Sequence, residues 1–207
     1  MSMIDAALEG RRIAVSHFGL SCLDFPKMLD FYTEVLGLTV ADMGGIESGG
    51  GTDLAFLTTD PGEHHQFVLA SNRRDNEIET SSVVGGSIGS NVFQVSFRVR
   101  DLDTLRGIAS RLTGYGITDQ NTISHGNSWS LYCRDPEGNA LEFFVDSPWY
   151  VAQPCAEPLD LSMTDEEILE ETRRYCLDQS EVLPYDAWVA QNRAKILRDQ
   201  QRLAGSR

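Results

Sequence analysis

Of the 207 residues, those whose types and spacing could do chemistry are the four histidines, His17, His64, His65 and His125, together with Tyr132 and Glu142. Imidazole changes charge near neutral pH and ligates metals readily, so proton transfer and metal coordination are the two chemistries open to it. Glu142 stands inside Ala140-Leu141-Glu142-Phe143-Phe144-Val145, where a carboxylate would be costly to bury without a partner. His125 lies in Ser124-His125-Gly126-Asn127-Ser128-Trp129, just before a β-rich run carrying Tyr132. That run is expected to lie antiparallel to the one carrying Glu142, which places His125 to act as a general acid or base. Taken alone, His17 between Ser16 and Phe18 reads equally as a hydrogen-bonded core residue, His64 and His65 as exposed turn residues, and Tyr132 as packing. The four cysteines, Cys22, Cys133, Cys155 and Cys176, form no C-x-x-C pair and read as free, mostly buried thiols.

The elements that must position these residues occur twice. Shifting the chain by 77 residues sets Val15-Ser16-His17-Phe18-Gly19-Leu20-Ser21-Cys22-Leu23-Asp24 over Val92-Phe93-Gln94-Val95-Ser96-Phe97-Arg98-Val99-Arg100-Asp101. Both copies read as a strand and then an Asp-led helix. In the first, Asp24 caps a helix with Pro26 in its opening turn, Met28, Phe31, Tyr32, Val35 and Leu36 form its apolar stripe, and Gly37 stops it. In the second, Asp101 or Asp103 caps, Leu102, Leu105, Ile108, Ala109 and Leu112 form the stripe, and Gly114 ends the helix. Each copy then carries strand-like material and an Asp-Pro turn, Asp60-Pro61 and Asp135-Pro136. The second turn joins Trp129–Cys133 to Ala140–Val145 as a hairpin, and the matching pair in the first copy is Leu54–Leu57 and His65–Leu69. The repeating unit is therefore strand, helix, then three strands. Ser81–Ser90 reads as a flexible Gly/Ser-rich connector between the copies, and Gly44–Gly51 as a mobile loop within the first.

Beyond Asp146 the pattern changes to an extended segment through Ser147-Pro148-Trp149-Tyr150 and Pro154 to Pro158. Thr164-Asp165-Glu166-Glu167 is a capping box opening a helix with Ile168, Leu169, Tyr175 and Cys176 on one face. Tyr185–Leu203 reads as another helix with Trp188, Val189, Ile196 and Leu197 as its stripe. This tail reads as a helical arm that covers sheet surface or makes a dimer contact. Trp149 and Tyr150 either wall an aromatic pocket or dock the tail. Seventeen Lys and Arg against 31 Asp and Glu give a net charge of -14, a field that repels nucleic acid and anionic lipid. No apolar stretch reaches the roughly 20 residues of a membrane span, and Met1–Arg12 lacks a secretory h-region, so a cytoplasmic location is expected.

Two such modules, with Val15-Ser16-His17-Phe18-Gly19-Leu20 near the start, Phe31-Tyr32-Thr33-Glu34-Val35-Leu36-Gly37-Leu38 on the first helix and Tyr132-Cys133-Arg134-Asp135-Pro136-Glu137-Gly138-Asn139-Ala140-Leu141-Glu142-Phe143 at the end, resemble the vicinal oxygen chelate superfamily. That superfamily includes glyoxalase I, type I extradiol ring-cleaving dioxygenases, some epimerases, and fosfomycin and bleomycin resistance proteins. The resemblance covers about Arg12 to Asp146. It implies an α+β fold of two tandem βαβββ modules forming a cupped mixed sheet, at residues 12–80 and 91–146, with a linker at 81–90 and a C-terminal helical extension at 147–207.

Carried over residue by residue, the superfamily's metal-ligand positions fall on His17, Gln94 and Glu142. A three-ligand face leaves open positions for a substrate to chelate through two adjacent oxygens. Iron-dependent ring-cleaving members use two His and one carboxylate, so Gln94 departs from their pattern, whereas glyoxalase-like members tolerate Gln there. A further ligand position falls on the last strand of the first module, where His64 or His65 is the candidate. If His65 faces the cup, His17, His65 and Glu142 form a two-His-one-carboxylate set; if Gln66 does, the site is His17, Gln66, Gln94 and Glu142. Tyr132, ten residues before Glu142, resembles a Tyr that extradiol enzymes use beside the metal to bind a catecholate oxygen. The resemblance thus implies a metal-dependent enzyme acting on a small molecule with vicinal oxygens. Extradiol cleavage of a catechol-like diol with Fe(II) is favoured, with His125 and Tyr132 as catalytic groups. Glyoxalase-like proton transfer with Zn, Ni or Mn, or a metal-free binding module, are the alternatives, and a homodimer is compatible with any of them.

Overall fold

The computed structural model describes residues 15–47, 51–73, 92–177 and 182–205. The Gly/Ser-rich connector at 81–90 and the N-terminal Met1–Arg12 lie outside the described residues. The chain divides into two units. The first comprises residues 1–94 together with Arg134–Ala140, and the second Val95–Cys133 together with Leu141–Arg207.

In the first unit, β1 (Phe18–Ser21) leads into α1 (Phe25–Asp30), which continues as a π-helical turn over Phe31–Val35. Asp24 accepts the Lys27 amide as N-cap and Pro26 occupies the first turn, as the residue types require. Gly37, at φ 80, lets the chain leave the helix. Strands β2 (Thr39–Ile46), β3 (Thr52–Thr58) and β4 (Phe67–Ala70) follow, and the sheet order is β1-β4-β3-β2. The β1–β4 pair is parallel, and the β2–β3 and β3–β4 pairs are antiparallel. Met28, Phe31, Tyr32 and Val35 are buried, as are Ala55, Leu57, Phe67 and Leu69 from alternating strand positions, the period-two signature of a sheet with one covered face. Two expectations are corrected here. Gly44 and Gly45 belong to β2, paired with Leu54 and Asp53, because a glycine with an extended partner still completes the ladder. The last strand begins at Phe67, so His64 and His65 precede it rather than lie on it.

The second unit repeats the order: β5 (Val95–Arg98), α2 (Leu102–Tyr115), β6 (Asn121–Ser124), β7 (Ser128–Arg134) and β8 (Ala140–Asp146). Asp101 caps α2, and Gly116, at φ 99, ends it two residues beyond the expected Gly114. Its sheet runs β6-β7-β8-β5, with β5 parallel to β8 and the short strand Glu157–Pro158 added beside β6. Leu102, Leu105, Ile108 and Leu112 of α2 are buried, as are Leu131, Leu141 and Phe143 of the strands. Alternation then turns Tyr132 and Glu142 to the other face of this sheet.

The C-terminal extension belongs to the second unit. Short strands β9 (Trp149–Val151) and β10 (Glu157–Pro158) precede α3 (Asp165–Cys176), and β11 (Val182–Pro184) leads into α4 (Tyr185–Gly205). Thr164 and Glu167 form the expected capping box. The buried stripe of α3 is Ile168, Thr172 and Cys176, with Leu169 left exposed. Thr172 is buried because its hydroxyl accepts the indole N–H of Trp129 at 2.8 Å. On α4, Tyr150 stacks on Trp188 at 5.2 Å, whereas Val189, Ile196 and Leu197 are exposed rather than packed. Tyr150 therefore docks the tail. All four cysteines are free. Among the described residues no helix is long and apolar enough to cross a membrane.

Candidate functional site

Glu142 organises the face of the second unit's sheet opposite α2. It is 8% exposed, and the parallel β5–β8 register sets Ser96 directly beside it. Both carboxylate oxygens accept short hydrogen bonds, Oε1 from the Tyr132 hydroxyl at 2.6 Å and Oε2 from the Ser96 hydroxyl at 2.6 Å. Burial at this position is thus compensated by hydroxyl donors, as a buried carboxylate demands. Burial, and after it the bond to Glu142 and that group's charge, push the Tyr132 phenol well above its ordinary range.

Behind Tyr132 stands His125. Its Nε2 lies 2.8 Å from the Tyr132 hydroxyl and its Nδ1 lies 2.6 Å from the Cys155 carbonyl. A carbonyl only accepts, so Nδ1 carries a proton. Nε2 is thereby turned to the phenol oxygen, which in turn meets Glu142 Oε1, so the three side chains form one hydrogen-bonded series. The arrangement can carry a proton between His125 and Glu142 through Tyr132.

The first unit presents a different group. The rings of His17 and His65 are 4.4 Å apart, and His65 packs against His64 and Phe56 at 5.1 Å each. His64 Nδ1 lies 2.8 Å from His65 Nδ1, and its Nε2 is 3.9 Å from Asp42. Partial burial, and after it the neighbouring His17 and His64, lower the His65 pKa and favour the neutral ring that a metal ligand needs. Gln66 is engaged elsewhere: its side-chain oxygen accepts from the Thr59 amide and hydroxyl, each at 3.0 Å.

The site residues named from the sequence therefore fall into two groups. His17, with His65 beside it, belongs to the first unit, and so does Gln94, one residue before β5; Glu142, Tyr132 and His125 belong to the second. Among the described residues, no three His, Cys, Asp or Glu side chains gather as a ligand cluster within either unit. A cleft of about 610 Å³ lined by Tyr150, Trp188, Asn192, Lys195 and Arg198 lies on the extension and holds none of these residues. Sequence reasoning missed Ser96, whose only signal is its place two residues beyond Gln94, at the start of β5. It also missed the Cys155 carbonyl, which as a backbone group leaves no signal in residue type.

Over 133 residues the chain is 30% identical to biphenyl-2,3-diol 1,2-dioxygenase 3 of Rhodococcus globerulus, a match covering 64% of this chain and 63% of that relative. Over 135 residues it is 30% identical to biphenyl-2,3-diol 1,2-dioxygenase 2 of the same organism, covering 64% and 62%. The chain thus spans less than two thirds of the curated relatives it matches. A solved glyoxylase/bleomycin resistance protein/dioxygenase domain from Frankia sp. EAN1pec shares the fold at 22% identity and a TM-score of 0.51, covering 65% of this chain and 98% of that one. The family model described as Glyoxalase/Bleomycin resistance protein/Dioxygenase superfamily matches residues 14–143, more than half of the chain. With the duplicated βαβββ order, this match establishes that the chain belongs to that superfamily.

Proposed function

We propose that this protein is a metal-dependent, extradiol-type dioxygenase acting on a catechol-like aromatic diol. The observation that carries the reading is the hydrogen-bonded series His125, Tyr132 and Glu142, because ring cleavage of a diol needs a carboxylate ligand and a proton carrier beside it. The likeness to two biphenyl-2,3-diol dioxygenases supports the same reading. The donor types fit a divalent ion: two imidazoles, one of them held towards its neutral form, and a buried carboxylate whose hydrogen-bond partners are hydroxyls. The residues at the superfamily's ligand positions are His17, His65, Gln94 and Glu142, of which Gln94 would give a neutral oxygen donor. Iron(II) bound there would chelate the two diol oxygens and activate dioxygen.

The chain's own residues do the rest. Tyr132 and Ser96 fix the orientation of the Glu142 carboxylate. Tyr132 orients the diol, and His125 takes up the proton that the diol releases on binding and returns it during turnover. Gln94 is the one residue that favours a second reading, glyoxalase-like proton transfer with zinc or nickel, since an amide is a weak partner for iron in ring cleavage.

Oxygen uptake separates the two. Protein purified anaerobically and loaded with Fe(II) is expected to consume dioxygen with biphenyl-2,3-diol or catechol and to form a coloured ring-opened product. His17→Ala and Glu142→Ala are expected to abolish both. Stoichiometric zinc or nickel in the purified protein, with no oxygen uptake on any diol, would move the assignment to the glyoxalase-like reading.

A further inference from the structure

The family match ends at residue 143, yet what holds His125 in place comes after it. The turn His125-Gly126-Asn127-Ser128 closes on itself through the His125 amide and the Ser128 carbonyl at 2.8 Å. From the extension, the Ser147 amide donates to the Asn127 carbonyl at 2.9 Å, and the Ser147 hydroxyl donates to the Gly126 carbonyl. Gln153 reaches back with its side-chain amide to the His125 carbonyl at 2.9 Å, and its side-chain oxygen accepts the Cys155 amide at 3.1 Å. Tyr175, on α3, sets its hydroxyl 3.1 Å from Cys155 Sγ and 3.3 Å from the Ser124 carbonyl. Gly126 is at φ 74, and a Cβ there would meet Val151 at 2.7 Å and the Tyr175 hydroxyl at 3.1 Å. The extension is therefore moulded onto the turn that carries His125, and it delivers the Cys155 carbonyl to Nδ1 at 2.6 Å.

We propose that the C-terminal extension is a positioning element, with Gln153 and Tyr175 as positioning residues that hold the Cys155 carbonyl on His125 Nδ1 and so aim Nε2 at Tyr132. The physical logic is that of an oriented imidazole. A fixed acceptor on one ring nitrogen sets both the ring angle and which nitrogen faces the reaction. The catalytic part of this inference rests on the assignment of His125 and Tyr132 to the reaction made above; the positioning part does not.

The test uses the full chain with 15N-labelled histidine, His125 being assigned by its loss in His125→Ala. The native protein is expected to show a slowly exchanging proton on His125 Nδ1. In Gln153→Ala and Tyr175→Phe, substitutions that leave the core intact, that proton is expected to exchange rapidly. With a diol substrate, kcat is expected to fall about 10- to 100-fold while KM stays within about twofold, the range seen when a supporting partner of an active imidazole is lost. A merely structural role would lower the melting temperature and leave the Nδ1 signal unchanged. Absence of the Nδ1 proton in the native protein, or its unaltered exchange in both variants, would overturn the proposal. Full turnover by His125→Ala would instead overturn the catalytic assignment and leave the NMR result to decide the positioning.

Discussion

The two units share one plan and differ in what covers it. Strand order β1-β4-β3-β2 in the first is repeated as β5-β8-β7-β6 in the second, with the Asp-capped helix after the first strand in both. In the first unit, β2 is exposed along its whole length and the imidazoles of His17, His64 and His65 lie near the surface. In the second, β6 pairs with β10, the Cys155 carbonyl of the extension meets His125, and Glu142 is buried with Tyr132 and His125 half-buried in series beside it. One scaffold thus supports adaptable donors where it is open and a pre-oriented proton path where the extension closes over it. What differs is not topology but solvent access, which governs how strongly a hydrogen bond fixes its partners.

Four substitutions test that contrast, beginning with the largest expected effect. Asp135 is buried and accepts from the Tyr32 hydroxyl at 3.0 Å, the amides of Glu137 and Asn139, and the Asn139 side chain. Asp135→Ala removes the acceptor these donors share and should cost about 3 kcal/mol, read as a lower urea midpoint; an unchanged midpoint would show that the turn is not structural. Thr172→Val removes the acceptor of the Trp129 indole and should cost about 1.5 kcal/mol by the same assay. If it also releases the Nδ1 proton of His125, closure and positioning are one event. Ser96→Ala should weaken Mn(II) or Zn(II) binding about tenfold by calorimetry, against complete loss in Glu142→Ala. Equal affinity in Ser96→Ala and the native protein would deny Ser96 its part in orienting the carboxylate.

The smallest effect is a rate difference among thiols. Burial, helped by the Glu137 and Asp135 carboxylates, pushes the Cys22 thiol up to about 12, and burial followed by Cys155 pushes Cys176 up to about 11. Raised values keep both thiols protonated at pH 8, and a protonated thiol is not the nucleophile. Iodoacetamide at pH 8 should therefore modify the half-buried Cys155 while Cys22 and Cys176 stay free. Mass spectrometry of the digested protein reads the order, and early labelling of Cys22 would show that its site opens readily.

The fold was legible where local rules act. Asp24 and Asp101 as N-caps, the Thr164 capping box and the alternation around Glu142 are all encoded within a few residues, and the 77-residue offset exposed the repeat. Boundaries set by tertiary pairing were less so, as the late start of β4 at Phe67 and the glycines of β2 show. Within the site, Glu142 announced itself by a charge in an apolar run, and His125 and Tyr132 by their place in a hairpin. Ser96 did not, because one serine on a strand has no distinctive spacing. Nor did the Cys155 carbonyl, since a backbone acceptor thirty residues from its donor depends on how the extension folds back.

The make-up of the first unit bears on the order in which the chain can fold. That unit needs Arg134–Ala140, whose Glu137 accepts the Leu23 and Asp24 amides at 2.7 and 2.8 Å and pairs with Arg73 at 2.7 Å. On the ribosome the strands and helix of the first copy emerge long before that loop, so the Leu23 and Asp24 amides and Arg73 wait for Glu137. The first unit thus draws on a segment of the later copy, and synthesis must pass residue 140 before it is complete.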